Sequence, residues 1–190
     1  LKKIDTLQAE KPWFMWVSFV GPHEPFDTPY PWKGQTKKED LPQLKKKRKW
    51  MNTINTNSNI HKNHTKWKQI IETIDLEHCR MDYIDHLKLL DEQLGDIIGK
   101  LKERGLYENT KIIITADHGE MMGDYEMMYK GTFLEPSIKV PMIVIDTNNK
   151  ERKGIKERKP TTTSQLIHRE IEACTTNTKR KTVKELKDYI

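Results

Sequence analysis

Cysteine is nearly missing from this chain: only Cys79 and Cys174 occur in 190 residues. Two thiols build no disulfide framework at this size, so cysteine usage leaves the compartment open. Long apolar runs are missing as well. No stretch approaches the roughly eighteen residues of a membrane-spanning helix, so no membrane span is expected. The opening "LKKIDTLQAEKPWF" carries no signal segment and reads like the middle of a domain. No internal repeat is found. Apolar residues make up 35% of the chain and charged residues 33%, which concentrates any core in a few segments. The net charge of +6 favours anionic partners without selecting one. The length suits one domain, or one large piece of a bigger one.

Three segments are apolar enough to be buried. "WFMWVSFV", residues 13–20, is rich in aromatic and β-branched residues and reads as a strand buried on both faces. "KIIITAD" from Lys111 and "VPMIVID" from Val140 have the same character. Between the first two lies a helical pattern, with Leu76, Tyr83, Leu87, Leu90, Leu94, Ile97, Ile98 and Leu101 on one face. Gly105, after Lys102 and Arg104, is its expected stop. Strand, helix and strand in this order predict an α/β fold with a parallel-rich sheet flanked by helices. Residues 27–66 hold prolines, asparagines and the run "KKKRK", and read as a long polar excursion. Residues 147–190 read as a polar connection followed by a basic, helical tail.

Chemistry-bearing residues gather where the predicted strands end. In "IIITADHGEMMGDYEMMYKG", residues 112–131, Asp117 and His118 follow an apolar strand directly. Ligands of open α/β sheets collect outside the carboxyl ends of strands. A carboxylate beside an imidazole can hold a divalent cation, and a nearby lysine such as Lys130 can neutralise an anion. The same spacing also fits an ordinary turn. "FVGPHEPF" sets His23 between two prolines just past the first strand, which is either a fixed imidazole at the same edge or a solvated loop histidine.

Taken together, "PWFMWVSFVGPHEPF", "YIDHLKLLDEQLGDIIGKLKERGLYENTKIIITADHGEMMGD" and "MMYKGTFLEPSIKVPMIVID" resemble the sulfatases of the alkaline phosphatase superfamily. The likeness runs from about residue 11 to residue 146, interrupted by the excursion, with every motif in family order. It implies that residues 1–146 are an incomplete alkaline phosphatase/sulfatase-like catalytic domain acting on sulfate esters, in a secreted, periplasmic or lysosomal setting. By the same resemblance, Asp117 and His118 are ligands of a calcium ion, although calcium prefers oxygen donors. His23 and Lys130 are implied to contact the sulfate group, where they would stabilise charge that develops in the transition state.

The departures from the family pattern are equally specific. Sulfatases use a formylglycine made from the cysteine of a Cys-x-Pro-Ser-Arg-like motif, together with acidic metal ligands near the amino terminus. Neither element is encoded here, since Cys79 lies in "EHCRMDY" and Cys174 in "EACTT". Tyr125 stands where many relatives have a histidine. The 190 residues are therefore expected to hold only part of a sulfatase site, and a phosphate or phosphonate ester hydrolase is the close variant. The alternative is a non-catalytic remnant that binds anionic glycans.

Other clusters have blander readings. His78, Asp82, Asp85 and His86 share a helix face opposite the apolar stripe and are expected to be solvated. "LKKKRKW", residues 44–50, lacks aromatic platforms and a recognition fold, so nucleic acid is not expected as a partner; a sulfated polysaccharide is the exception that its charge would suit. His61 and His64 read as loop residues, and Asn63-His64-Thr65 fits a glycosylation acceptor.

Overall fold

The computed structural model describes residues 1–52, 59–147, 154, 156, 162–165 and 168. In chain order the elements are α1 (Lys2–Asp5), α2 (Asn59–Ile71), α3 (Leu76–Glu103), β1 (Lys111–Thr115), α4 (Glu135–Ile138) and β2 (Met142–Asp146). Cys174 and most of the expected carboxyl-side tail lie outside the described residues.

Helix α3 is the spine, and its ends follow from local chemistry. The Asp75 carboxylate accepts from the His78 N–H at 3.0 Å and caps the first turn. At the other end Gly105 turns left-handed at φ 66°. Its N–H then reaches the Lys102 carbonyl at 2.9 Å, while the Leu106 N–H reaches that of Leu101 at 2.8 Å. This pair of bonds is the Schellman arrangement, which satisfies carbonyls that the helix leaves open. Leu101 and Leu106 then pack with Ile4 in a small core, against which Trp13, Met15, Ile97 and Ile112 lie. A second core joins Met51, Trp67, Met121, Tyr125, Met127 and Met128, with Phe26 and Tyr129 at its border.

The sheet departs from expectation. Among the described residues its strands are β1 and β2, paired antiparallel with Ile113 opposite Val144. Lys111 and Asp146 close the ladder with an ion pair at 3.1 Å. Residues 116–141 fold back on themselves before β2, so the second strand returns beside the first in the opposite sense. Residues 13–20 form no strand. Trp13 and Met15 lean on the small core, whereas Phe14, Trp16, Val17, Phe19 and Val20 are exposed. An apolar, β-branched run satisfies the requirements of a strand only where a neighbour offers ladder bonds, and no described segment does so here.

The expected excursion does not stand away from the helix, and the Asp82–Asp85 face of α3 is not solvated. Asp85 is fully buried. It accepts from the Gly34 N–H at 2.7 Å, the Gln35 N–H at 3.1 Å, the Thr36 hydroxyl at 2.5 Å and the Lys88 ammonium at 3.0 Å. Asp82 is buried too, its carbonyl accepting from the Thr28 hydroxyl at 2.6 Å and its carboxylate facing Lys33 and His78. Trp32 adds an indole N–H bond to Glu92 at 2.8 Å. Residues 28–36 are thus strapped along α3 through buried carboxylates, which a helical wheel counts as polar and assigns to water.

Candidate active site

Two loops meet above the end of β1, and each contributes a motif. The first, Gly21–Phe26, leans on α3. A Cβ added at Gly21 would sit 2.0 Å from Nε2 of His86, so any larger residue here would have to push that imidazole aside. The second loop runs from Asp117 to Gly131. There a Cβ on Gly119 would lie 2.0 Å from the Pro136 carbonyl, and the Gly119 N–H donates to the Ser137 carbonyl at 2.7 Å. Close backbone approach to α4 is therefore what requires glycine at this position. Between the two ends of this loop, Met122, Tyr125, Glu126 and Tyr129 all adopt left-handed φ values between 45° and 63°. Such conformations persist only where their surroundings over-determine them. Here the Met121 N–H donates to the Tyr129 carbonyl at 2.8 Å, and Tyr125 is buried with its N–H bonded to the Lys45 carbonyl at 2.8 Å.

An aromatic contact fastens the two loops together. Phe26 stacks on Tyr129 with ring centres 6.4 Å apart and an interplanar angle of 13°, and Trp67 meets Tyr129 edge-on at 5.2 Å. The residues adjoining this stack in sequence are the ones that carry charge. The Lys130 ammonium contacts Nε2 of His23, and reaches Glu24 Oε1 at 3.2 Å and Oε2 at 3.1 Å. An ammonium only donates, so Nε2 of His23 accepts and the ring proton resides on Nδ1. Nδ1 in turn faces the Glu24 carbonyl at 2.9 Å.

The His118 ring lies 6.2 Å from that of His23, edge to face. Its Nδ1 is 2.8 Å from the Gly119 carbonyl, which places a proton there and leaves the Nε2 lone pair open. Asp117 Oδ1 accepts from the His118 N–H at 2.9 Å, and Oδ2 lies 3.9 Å from His118 Nε2. The Asp117 side chain is 89% exposed. An imidazole whose Nδ1–H is held by a carbonyl, facing a carboxylate oxygen across 3.9 Å, suits two ligands of one divalent cation. It does not complete a calcium shell of six to eight oxygens. Among the described residues no third His, Cys, Asp or Glu joins them in a ligating group.

His23, His118, Asp117 and Lys130 thus lie on one rim even though the strand expected before His23 is unpaired. Sequence reasoning did not assign Glu24 or Glu120 to the site. Burial pushes the Glu24 carboxyl up, but its own backbone N–H and the bond and charge of Lys130 outweigh that and hold it below its ordinary value. For Glu120 burial wins: desolvation raises it, the N–H groups of Met122 and Tyr129 pull it back in part, the Glu24 charge adds to the rise and Lys130 opposes it. Glu120 also lines a cleft of about 390 Å³ together with Arg80, Tyr83, Leu87 and Met121. The signal available for both carboxylates was their position next to a singled-out motif residue. Cys79 sits on α3, where burial first and then Asp75 and Asp82 raise its thiol, the opposite of an activated nucleophile.

Comparison with known proteins places this geometry. The sulfatase family model matches residues 1–173. An arylsulfatase of Clostridium perfringens is 35% identical over 146 residues, covering 76% of this chain and 30% of the relative. A multifunctional alkaline phosphatase superfamily protein of Trinickia caryophylli is 26% identical over 157 residues, again covering 30% of the relative. The solved phosphonate monoester hydrolase of Agrobacterium radiobacter superposes with a TM-score of 0.61 at 27% identity, over 78% of this chain and 31% of that one. The chain therefore spans about a third of the length of these relatives.

Proposed function

Since the chain belongs to the sulfatase family, we propose that it supplies the anion-holding and part of the metal-holding machinery of a sulfate-ester hydrolase. Lys130 and His23 hold the ester oxygens; Asp117 and His118 hold a divalent cation, calcium by family, with formylglycine as the family's nucleophile. The observation that carries this reading is the convergence of His23 and Lys130, 107 residues apart in sequence, at hydrogen-bonding contact beside the His118–Asp117 pair. When bound, the cation would polarise the ester's tetrahedral group. This chain's own residues do the rest of what it can do: Lys130 supplies a fixed positive charge, His23 presents Nε2 to the same point, and the Phe26–Tyr129 stack holds both loops in place. A phosphonate ester is the close variant, favoured by the fold shared with the phosphonate monoester hydrolase. Sulfated glycans are the natural large substrates for a chain of net charge +6.

The test is binding of 4-nitrophenyl sulfate to the 190-residue chain, with and without calcium. Wild type should bind the ester without releasing 4-nitrophenol, because no activated nucleophile accompanies the four groups. Lys130→Ala should lose binding, and calcium should tighten it in wild type but not in Asp117→Ala. Equal binding by wild type and Lys130→Ala would overturn the anion assignment. Nitrophenol release that disappears in Lys130→Ala would show a nucleophile within these residues.

A further inference from the structure

All three protons of the Lys130 ammonium have an acceptor in the site: Nε2 of His23 and the two oxygens of Glu24. Glu24 Oε2 is also 3.1 Å from Nδ1 of His23. One carboxylate thus bridges both members of the anion-holding pair and sets a negative charge at contact distance from any ester they hold. We propose that Glu24 is a specificity-determining residue, selecting tetrahedral esters that carry one negative charge over phosphate monoesters that carry two. The inference rests on the reading of His23 and Lys130 as the pair that holds the ester.

The reasoning is charge balance at contact distance. Sulfate monoesters, phosphonate monoesters and phosphodiesters bring a single charge, whereas a phosphate monoester carries about −1.5 to −2 at neutral pH. Any such group that takes Lys130 as its partner lies within an ion-pair length or two of the Glu24 oxygens. A first charge is matched by the ammonium. A second has no uncompensated cation among these side chains and feels Glu24 directly. The Glu24 and Lys130 side chains are 32% and 30% exposed, so water screens the repulsion without erasing it. Glu24 also stays ionised through the neutral range, because its backbone N–H and Lys130 hold its carboxyl below the ordinary value despite burial. The other groups facing it electrostatically are Tyr129 and the half-buried Glu120, neither of which adds positive charge.

Methyl sulfate and methyl phosphate separate charge from shape, being tetrahedral esters of nearly equal size. Their affinities for the 190-residue chain would be measured by NMR titration at about pH 8, where the phosphate ester is doubly charged. Wild type should prefer methyl sulfate. Glu24→Gln, which keeps shape and removes charge, should tighten methyl phosphate about tenfold and methyl sulfate much less. Glu24→Asp, which keeps the charge, should retain the wild-type preference. An unchanged ratio in Glu24→Gln, or an equal loss of preference in Glu24→Asp, overturns the inference. If either happens while Lys130→Ala still abolishes binding, the anion site stands and only the role of Glu24 falls. If Lys130→Ala binds both esters like wild type, or if neither wild type nor Glu24→Gln binds any ester, both readings fall together.

Discussion

Glu120 is a carboxyl group that folding makes harder to ionise. Desolvation raises its pKa above the ordinary glutamate value, and the N–H groups of Met122 and Tyr129 recover only part of the loss. A carboxyl raised on folding binds its proton more tightly in the native state. Stability therefore falls as pH rises from the unfolded value through the folded one, and the penalty is complete above both. Glu120→Gln removes that penalty while its side-chain oxygen still accepts from the two backbone donors. The variant should be the more stable form at neutral pH, and should lose that advantage in acid, where the wild-type carboxyl takes up its proton. Urea unfolding at the two pH values reads this directly, and a destabilised Glu120→Gln at neutral pH would mean that the carboxylate is needed for Lys130. At this scale the sequence singled out His23, Asp117, His118 and Lys130, which the fold brings to one rim, because each sits in a short motif just past an apolar segment. Glu24 and Glu120 were not, since their meaning comes from a lysine 106 residues away in one case and from burial in the other.

Among the elements, α3 was the most legible and the most misread. Its cap at Asp75 and its stop at Gly105 are both local chemistry, and the stop stands where it was expected. Its polar face is different, because whether Asp85 meets water depends on residues 28–36, some fifty positions earlier. The pairing sense of β1 and β2 was hidden for a related reason. Apolar runs reveal strands but not their direction, which is set by how residues 116–141 turn. The strap over α3 makes a definite prediction. Asp85→Ala strands the Gly34 and Gln35 N–H groups, the Thr36 hydroxyl and the Lys88 ammonium, and should cost about 3 kcal/mol. Although burial raises the Asp85 carboxyl, bonds from Thr36, Lys88 and Gly34 outweigh it and hold the group below its ordinary value. A depressed carboxyl contributes stability that is fully present above the unfolded value and is lost as pH falls through the folded one. The wild-type chain should therefore weaken below about pH 4 more steeply than Asp85→Asn does. Hydrogen exchange at Gly34 and Gln35 should speed up in Asp85→Ala while the amides in the middle of α3 stay protected.

Among the described residues, several large apolar side chains stand in water. Phe14 is 75% exposed, Trp16 69%, Val20 87%, Phe133 88% and Ile143 51%, although apolar residues are only 35% of the sequence. Four of the five, all but Phe133, belong to segments read as core strands, so residues chosen for burial are the ones in water. A two-stranded antiparallel ribbon is also marginal by itself. Residues 13–20 add a run of backbone donors and acceptors without ladder partners among the described residues, and this is the kind of edge on which another chain can pair. Exposed apolar side chains of this kind favour association. The 190-residue chain should therefore self-associate at micromolar concentration, its sedimentation changing as it is diluted. Trp16→Lys and Val20→Lys place a charge in the exposed run without touching the Lys130 cluster, and each should shift the chain toward monomer. Iodide should quench Trp16 fluorescence more strongly in Val20→Lys than in wild type, because association covers the indole. A wild-type chain that sediments as a monomer across the whole concentration range would show that this surface is tolerated by water, and that residues 13–20 need no partner.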